Sequence, residues 1–216
     1  MTASKFRIAT LAAASVGVAL AIGAVTPGVA GAATDPNALK VTYDAVGSST
    51  VARTGSTVTL GPTVLNSVIN PDGTFTGTLN LPPATTSFKA AGLLPTTATV
   101  SFIPAGPVTG TLGTNAAGTG LAVTSTASYY LKLSNVTVGG LPGLVGNYCQ
   151  TILPVKISAS SPASQPFNLF TGGPITGTYS IGLFANCGLQ TPLIDLLIPG
   201  SGNTINLTLS NGRNTP

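Results

Sequence analysis

The sequence contains no histidine, no glutamate and no tryptophan, and its acidic residues are four aspartates. Histidine is the commonest general base and metal ligand, and serine and cysteine nucleophiles usually depend on it. Glycosidases generally need paired carboxylates, and no aspartate here stands in the Asp-Thr/Ser-Gly signature of an aspartic protease. We therefore predict a protein that is not an enzyme, with no catalytic, cofactor-binding or metal-binding residues. A serine paired with Lys132 or Lys156 is the open catalytic alternative.

Charge is also scarce, because 6% of the residues are charged, against about 25% in an average soluble domain. No cluster of basic residues stands out along the chain, so the sequence lacks the electrostatic footprint of nucleic-acid binding and of anionic-membrane binding. Threonine, serine and asparagine must supply the polar surface instead. We predict no nucleic-acid partner.

The N-terminal segment has the order of a secretory signal. Lys5 and Arg7 precede an uncharged stretch, residues 8–25, and Ala30-Gly31-Ala32 offers small residues to a signal peptidase. We predict a signal peptide, residues 1–32, and a secreted protein of the extracellular space or cell envelope. A loose segment, residues 33–37, would precede a single domain, residues 38–210, and a disordered tail, residues 211–216.

The two cysteines, Cys149 and Cys187, are 38 positions apart. A redox motif needs cysteines two residues apart, and a zinc site needs four ligands in a chain that has no histidine. Since exported proteins meet an oxidising environment, we predict a structural disulfide between these cysteines. Cys149 lies just before the predicted strand around Val155, and Cys187 lies just after the predicted strand from Ile175 to Leu183. If these strands are antiparallel neighbours, the two cysteines lie at the same end, and the bond would join them there.

Apolar and polar residues alternate through most of the chain between its glycines and prolines. Leu39, Val41 and Tyr43 are one example, and the longest run is Leu121–Leu133. Alternation with β-branched residues indicates strands that have one solvated face, and short turn signals separate the runs. We predict an all-β fold, either an antiparallel β-sandwich or a barrel-like sheet.

One segment departs from this alternation. In Thr-Pro-Leu-Ile-Asp-Leu-Leu-Ile-Pro-Gly, Thr191 has the character of an N-cap and Pro192 that of a first helical residue. We predict one short helix near residues 192–198, with Asp195 on its outer side, which plugs one end of the sheet assembly. A membrane-inserting tip is the alternative.

The sequence Thr-Gly-Thr recurs in three apolar contexts, at residues 75–79, 108–112 and 175–179. The flanking residues do not align well, so we interpret the recurrence as a strand whose glycine allows close packing, and not as a repeated module.

Residues 76–112, which begin Thr-Gly-Thr-Leu-Asn-Leu-Pro-Pro, and residues 191–210 resemble a group of actinobacterial exported proteins of unknown function. The resemblance implies an extracellular or envelope location and supplies no activity. We expect a non-catalytic domain with a structural or binding role, whose partner is a cell-wall polymer or an envelope protein. Candidate ligand contacts are Tyr130, beside Lys132, and Tyr148. The alternative is a lipid carrier or an envelope pore built from a closed sheet, in which a membrane would be involved.

Overall fold

A computed structural model describes residues 35–90 and 92–215. The predicted signal peptide lies outside these residues. The described chain forms thirteen strands, a 3₁₀ turn (Gly188–Gln190) and helix α1 (Thr191–Leu197). The strands are β1 (Leu39–Val51), β2 (Ser56–Ile69), β3 (Thr74–Leu79), β4 (Ala84–Ala90), β5 (Leu94–Pro104), β6 (Val108–Thr114), β7 (Leu121–Val138), β8 (Leu141–Pro142), β9 (Gln150–Thr151), β10 (Val155–Ser160), β11 (Gly172–Ile181), β12 (Phe184–Ala185) and β13 (Gly200–Asn214).

The prediction of an all-β fold is confirmed, and every strand pairing is antiparallel. Alternation is what fixes the strand faces. In β1, for example, Val41, Tyr43 and Ala45 are buried while the residues between them lie closer to solvent. In β7, Tyr129, Leu131 and Leu133 are buried in the same way.

Eight of the strands hydrogen-bond in a closed order. The path runs β1, β2, β3, β6, β7, β10, β11 and β13, and β13 then pairs with β1. The closing pair is β7 with β10, for which Val155 lies opposite Tyr129 and Ser160 lies opposite Thr124. The apolar sides of all eight strands face the inside of this ring, where they form the core.

The 18-residue strand β7 extends the wall beyond the ring. Its second half pairs with β5, and β4 pairs with the free side of β5. We call the end of the ring where β7 finishes and α1 lies the helix end. The opposite end, where β1 begins and β13 finishes, is the turn end.

The glycines of the three Thr-Gly-Thr segments lie where neighbouring strands come close. A Cβ on Gly110 would collide with the Thr124 carbonyl oxygen and lie 2.5 Å from the Phe75 ring, and one on Gly177 would collide with the Ser158 carbonyl oxygen. The interpretation of these glycines as close-packing positions is therefore confirmed. Gly110 and Gly177, together with Ser125 and Ala159, form a row of small residues on the four adjacent strands β6, β7, β10 and β11.

The predicted helix is present, and it closes one end of the ring. Two details of its prediction are wrong. The helix begins at Thr191, so Gln190 is the N-cap, and the Thr191 hydroxyl donates to the Gly188 carbonyl oxygen at 3.0 Å. Asp195 does not point outward into solvent, because its Oδ1 accepts a hydrogen bond from the Phe184 backbone N–H at 2.7 Å. The carboxylate thus fastens α1 to β12.

The turn end is held by polar side chains. Asp44 on β1 receives two hydrogen bonds from the Arg213 guanidinium, at 2.6 and 3.1 Å, and one from Asn211 at 2.8 Å. These bonds lower the pKa of Asp44 to about 2. The prediction of a disordered tail from residue 211 is wrong as far as Asn214, since β13 pairs with β1 up to that residue.

Candidate functional site

The disulfide lies at the helix end. Cys149 and Cys187 are bonded, with their Cα atoms 4.2 Å apart, so the predicted pairing is confirmed. Both residues are fully buried. The bond joins the segments that carry β9 and β12, and these two strands also pair with each other. The longer strands next to the two cysteines in sequence, β10 and β11, are antiparallel neighbours as predicted.

One of the two candidate tyrosines, Tyr148, is exposed to solvent at the helix end. Tyr148, next to Cys149, has 74% of its surface exposed. The Lys132 ammonium lies 5.9 Å from the centre of its ring, a cation–π arrangement. The structure therefore brings Tyr148 and Lys132 together, although they come from different segments.

The other candidate, Tyr130, is half-buried. It lies two residues from Lys132 on β7 and opposite Ile103 on β5. The aromatic pairs of the described residues are Tyr43 with Phe167 and Phe102 with Tyr129, so Tyr130 and Tyr148 do not stack on each other. Tyr148 is accordingly the better placed of the two to meet a ligand.

The helix end also carries most of the exposed apolar surface. Among the described residues, fifteen large apolar side chains are exposed, and eleven of them lie here. We call these eleven the apolar patch. They are Leu93 and Leu94 between β4 and β5; Leu141, Leu144 and Tyr148 after β7; Ile152, Leu153 and Leu183 around β9 and β12; and Leu189, Leu193 and Leu196 on the helical segment.

Contacts between the loops bring together the segments that carry the patch. The Gly139 N–H bonds to the Pro95 carbonyl oxygen at 2.8 Å, which links the β4–β5 turn to the segment after β7. That segment reaches the helical one, because a Cβ on Gly188 would lie 3.2 Å from the Leu144 carbonyl oxygen. The Ile152 N–H bonds to the Leu183 carbonyl oxygen at 2.9 Å.

The helical segment is apolar on both of its faces. Ile194 is buried, and it lines an internal cavity together with Leu197 and Ile198. The other face carries Leu189 and Leu196, which are 93% and 62% exposed, and Leu193 lies at its edge, 39% exposed and also in contact with the cavity. Sequence reasoning identified the helix as an apolar plug and missed this second face, although the spacing of the three leucines could have indicated it.

Three adjoining apolar cavities lie beneath the helix and inside the ring, with volumes of about 80, 50 and 30 Å³. The largest is bounded in part by the row of small residues, and the smallest lies under α1. Ligand-binding cavities usually measure about 300–1,000 Å³. A Ser49–Tyr179 hydroxyl contact at 2.6 Å lies where the first two cavities meet.

The outer wall of the ring is a regular array of hydroxyl groups. Adjacent strands place hydroxyl residues directly opposite one another, as in Thr109 with Thr126 and Ser158 with Thr178. On β6 and β7, the hydroxyls of Thr111 and Thr124 also lie opposite each other and form a hydrogen bond of 2.8 Å. This wall carries the polar surface that the composition predicted.

Two further observations concern ligands and membranes. Within residues 35–90 and 92–215, no group of three or more cysteine and aspartate side chains is placed to hold a metal ion. In the same part of the chain, no helix is both long and apolar enough to cross a membrane.

Comparison with protein-family profiles, with curated proteins and with solved structures finds no match to this chain.

Proposed function

We propose that the protein is a non-catalytic binding domain of the extracellular space or cell envelope, and that its partner contacts the apolar patch. The observation that carries the proposal is the placement of eleven of the fifteen exposed large apolar side chains at one end. Exposed apolar side chains that are concentrated in one region of a soluble protein are typical of interaction sites.

The shape of the patch also favours binding. Its side chains come from loops that a disulfide and backbone hydrogen bonds hold in place. A surface that is ordered before its partner arrives loses less conformational entropy on binding. Tyr148 within the patch supplies an aromatic face, Lys132 beside it supplies a positive charge, and both can contact a polymer or a protein.

A disulfide fits an oxidising compartment, which supports the proposed location. The lipid-carrier alternative receives support from the closed order of the strands. The volumes of the three internal apolar cavities weigh against it, because the largest of these three, at about 80 Å³, is well below the usual size of a site for a small molecule. We therefore favour binding at the outer surface.

The test is retention on envelope fragments prepared from the producing cells, measured by sedimentation. The patch variant is L93Q/L144Q/L189Q, which replaces three leucines with exposed fractions of 83%, 78% and 93%. The matched control is V46T/V64T/F170Q, which removes three exposed apolar side chains elsewhere. Since all six side chains are on the surface, both variants should keep the wild-type melting temperature within about 2 °C.

We expect the wild type and the control to sediment with the fragments and the patch variant to stay in the supernatant. Equal retention of the patch variant and the wild type would show that the partner binds elsewhere. Failure of the wild type to sediment at all would contradict a binding role in the envelope.

A further inference from the structure

Basic side chains border the apolar patch, although the sequence shows no basic cluster. Arg53 lies beside the end of α1, where its guanidinium donates to the Pro199 carbonyl oxygen at 2.9 Å. Lys89 lies at the β4–β5 turn that carries Leu93, since the Lys89 carbonyl oxygen accepts from the Gly92 N–H. Lys132 lies over Tyr148. Three of the four groups that make up the patch thus have a cation near them.

Acidic side chains are nearly absent from the same end. The one aspartate there, Asp195, has an oxygen committed to the Phe184 N–H. The other described aspartates are Asp35, Asp44 and Asp72, and all three lie at the turn end. The helix end therefore carries Arg53, Lys89 and Lys132 against one aspartate, whereas the turn end carries Lys40 and Arg213 against three aspartates.

This charge distribution selects among the occupants that an apolar patch can have. In a twofold dimer the same surface would face itself, so the net positive charge of one copy would oppose that of the other, with Asp195 as the single acidic side chain on each side. A neutral polymer would leave the cations unused. An anionic lipid surface offers apolar chains to the leucines and negative headgroups to the basic side chains at once.

The exposed fractions point the same way. Leu189, Leu93 and Leu144 are 93%, 83% and 78% exposed, so they project from their loops and do not line a groove. Projecting side chains on separate loops suit a fluid phase that can close around each of them. The second apolar face of the helical segment would then lie at the level where headgroups meet acyl chains.

We propose that the helix end docks onto an anionic lipid surface, with the leucines of the helical segment inserted and Arg53, Lys89 and Lys132 against the headgroups. This inference rests on the proposed function, because it names the partner of the same patch. It commits the patch to a lipid surface; a protein or polymer partner is a different outcome of the test.

The absence of tryptophan supplies a clean reporter of insertion. In L189W the single tryptophan stands in the patch. In F170W it stands on the loop before β11 at the turn end, where Phe170 is 72% exposed. The two variants have the same N-terminal segment and differ only at positions 170 and 189. A difference between their fluorescence changes therefore reports on the surroundings of these two positions.

The probes are vesicles of phosphatidylcholine alone and of phosphatidylcholine with about one third phosphatidylglycerol. With the anionic vesicles, we expect the fluorescence of L189W to shift to the blue and to be quenched by brominated acyl chains. The fluorescence of F170W should not change. Binding should weaken with added salt, and K89Q/K132Q should lower the partition coefficient by about tenfold or more.

An L189W emission that stays that of a water-exposed tryptophan with both vesicle types would overturn the lipid inference. If the patch variant nevertheless loses retention on envelope fragments, the proposed function stands and the partner is a protein or a polymer. Equal binding to both vesicle types, with no effect of K89Q/K132Q, would contradict the role given to the basic side chains.

Discussion

The helix end and the turn end of the closed sheet are stabilised by different means. At the helix end, a disulfide joins the loops around β9 and β12, and large apolar side chains are left exposed. At the turn end, side-chain oxygens bond to the backbone within the turns. Asp72 Oδ1 accepts from the Thr74 N–H at 2.9 Å, and Asn168 Oδ1 accepts from the Phe170 N–H at 2.8 Å.

The two ends differ in exposed apolar surface because they differ in how their polar side chains are used. The turn end uses its aspartates and asparagines to satisfy its own loops, so its surface is both polar and locally bonded. The helix end also has such bonds, since Asn203 Oδ1 accepts from the Ala52 N–H at 3.0 Å and Asp195 Oδ1 from the Phe184 N–H at 2.7 Å, and a covalent bond between Cys149 and Cys187 adds to them. Its apolar side chains are thereby kept in place without being buried, which is the arrangement a binding surface needs.

The largest effect should come from removal of the disulfide in C149S/C187S. A closed loop of 38 residues stabilises a fold by about 4 kcal/mol in the chain-entropy model, which corresponds to roughly 8–16 °C in melting temperature for a domain of this size. Scanning calorimetry of the variant and of reduced wild type should give similar values. A change below about 2 °C would mean that hydrogen bonds alone order the helix end.

The second effect concerns the wall between the two ends. In G110A the new methyl group would overlap the Thr124 carbonyl oxygen and the Phe75 ring, which should cost about 1–3 kcal/mol. The control is G113A on the same strand, since a Cβ there meets nothing within 4 Å. Urea unfolding should separate the two variants, and equal stabilities would show that the wall adjusts freely.

A third effect is specific to the turn end at alkaline pH. Tyr43 donates to the Leu169 carbonyl oxygen at 2.7 Å, and burial raises its pKa to about 12. Since an unfolded tyrosine titrates near 10, its contribution is fully present below about pH 10 and is lost as the pH rises to about 12.

Y43F should therefore be about 1 kcal/mol less stable than the wild type at pH 8, and the gap should narrow between pH 10 and 12. Urea midpoints across this range provide the measurement. A gap that is independent of pH would contradict the assignment.

The smallest effect should come from D44N. The Arg213 hydrogen bonds lower the pKa of Asp44 to about 2, below its ordinary value of 3.8. The resulting stabilisation is present above about pH 4 and is lost as the pH falls toward 2. Because the pair is exposed, the effect should be slight and should shrink with added salt. Thermal melts at pH 2, 4 and 7 would test this, and a wild-type advantage that persists at pH 2 would be inconsistent with it.

The strands, the helix and the disulfide could all be predicted from local signals. Alternation identified the buried face of β7, and the Pro192 and Pro199-Gly200 boundaries identified α1. The pairing of Cys149 with Cys187 followed from their number and the expected compartment. Each of these inferences depends on residues that are close in sequence or on an argument by elimination.

Other features depend on contacts that no local pattern records. Closure of the ring requires β10 to align with the first half of β7, and that register is set by the whole sheet. The place of Asp195 depends on β12, which approaches it only in the folded chain. The apolar patch was missed because a leucine in the sequence is expected to be buried. Whether a leucine in a loop is exposed depends on which other segments of the folded chain pack against it. The roles proposed for Tyr130 and Tyr148 stay predictions.

Strand β13 pairs with β1 on one side and with β11 on the other, although β1 lies at the start of the described chain. During synthesis from the N-terminus, one edge of β1 and one edge of β11 stay unpaired until β13 has been made. An unpaired edge is a template for association with other chains. A chain that ends before Gly200 would keep two such edges, so an incomplete copy of this protein should aggregate and should not persist as a smaller domain.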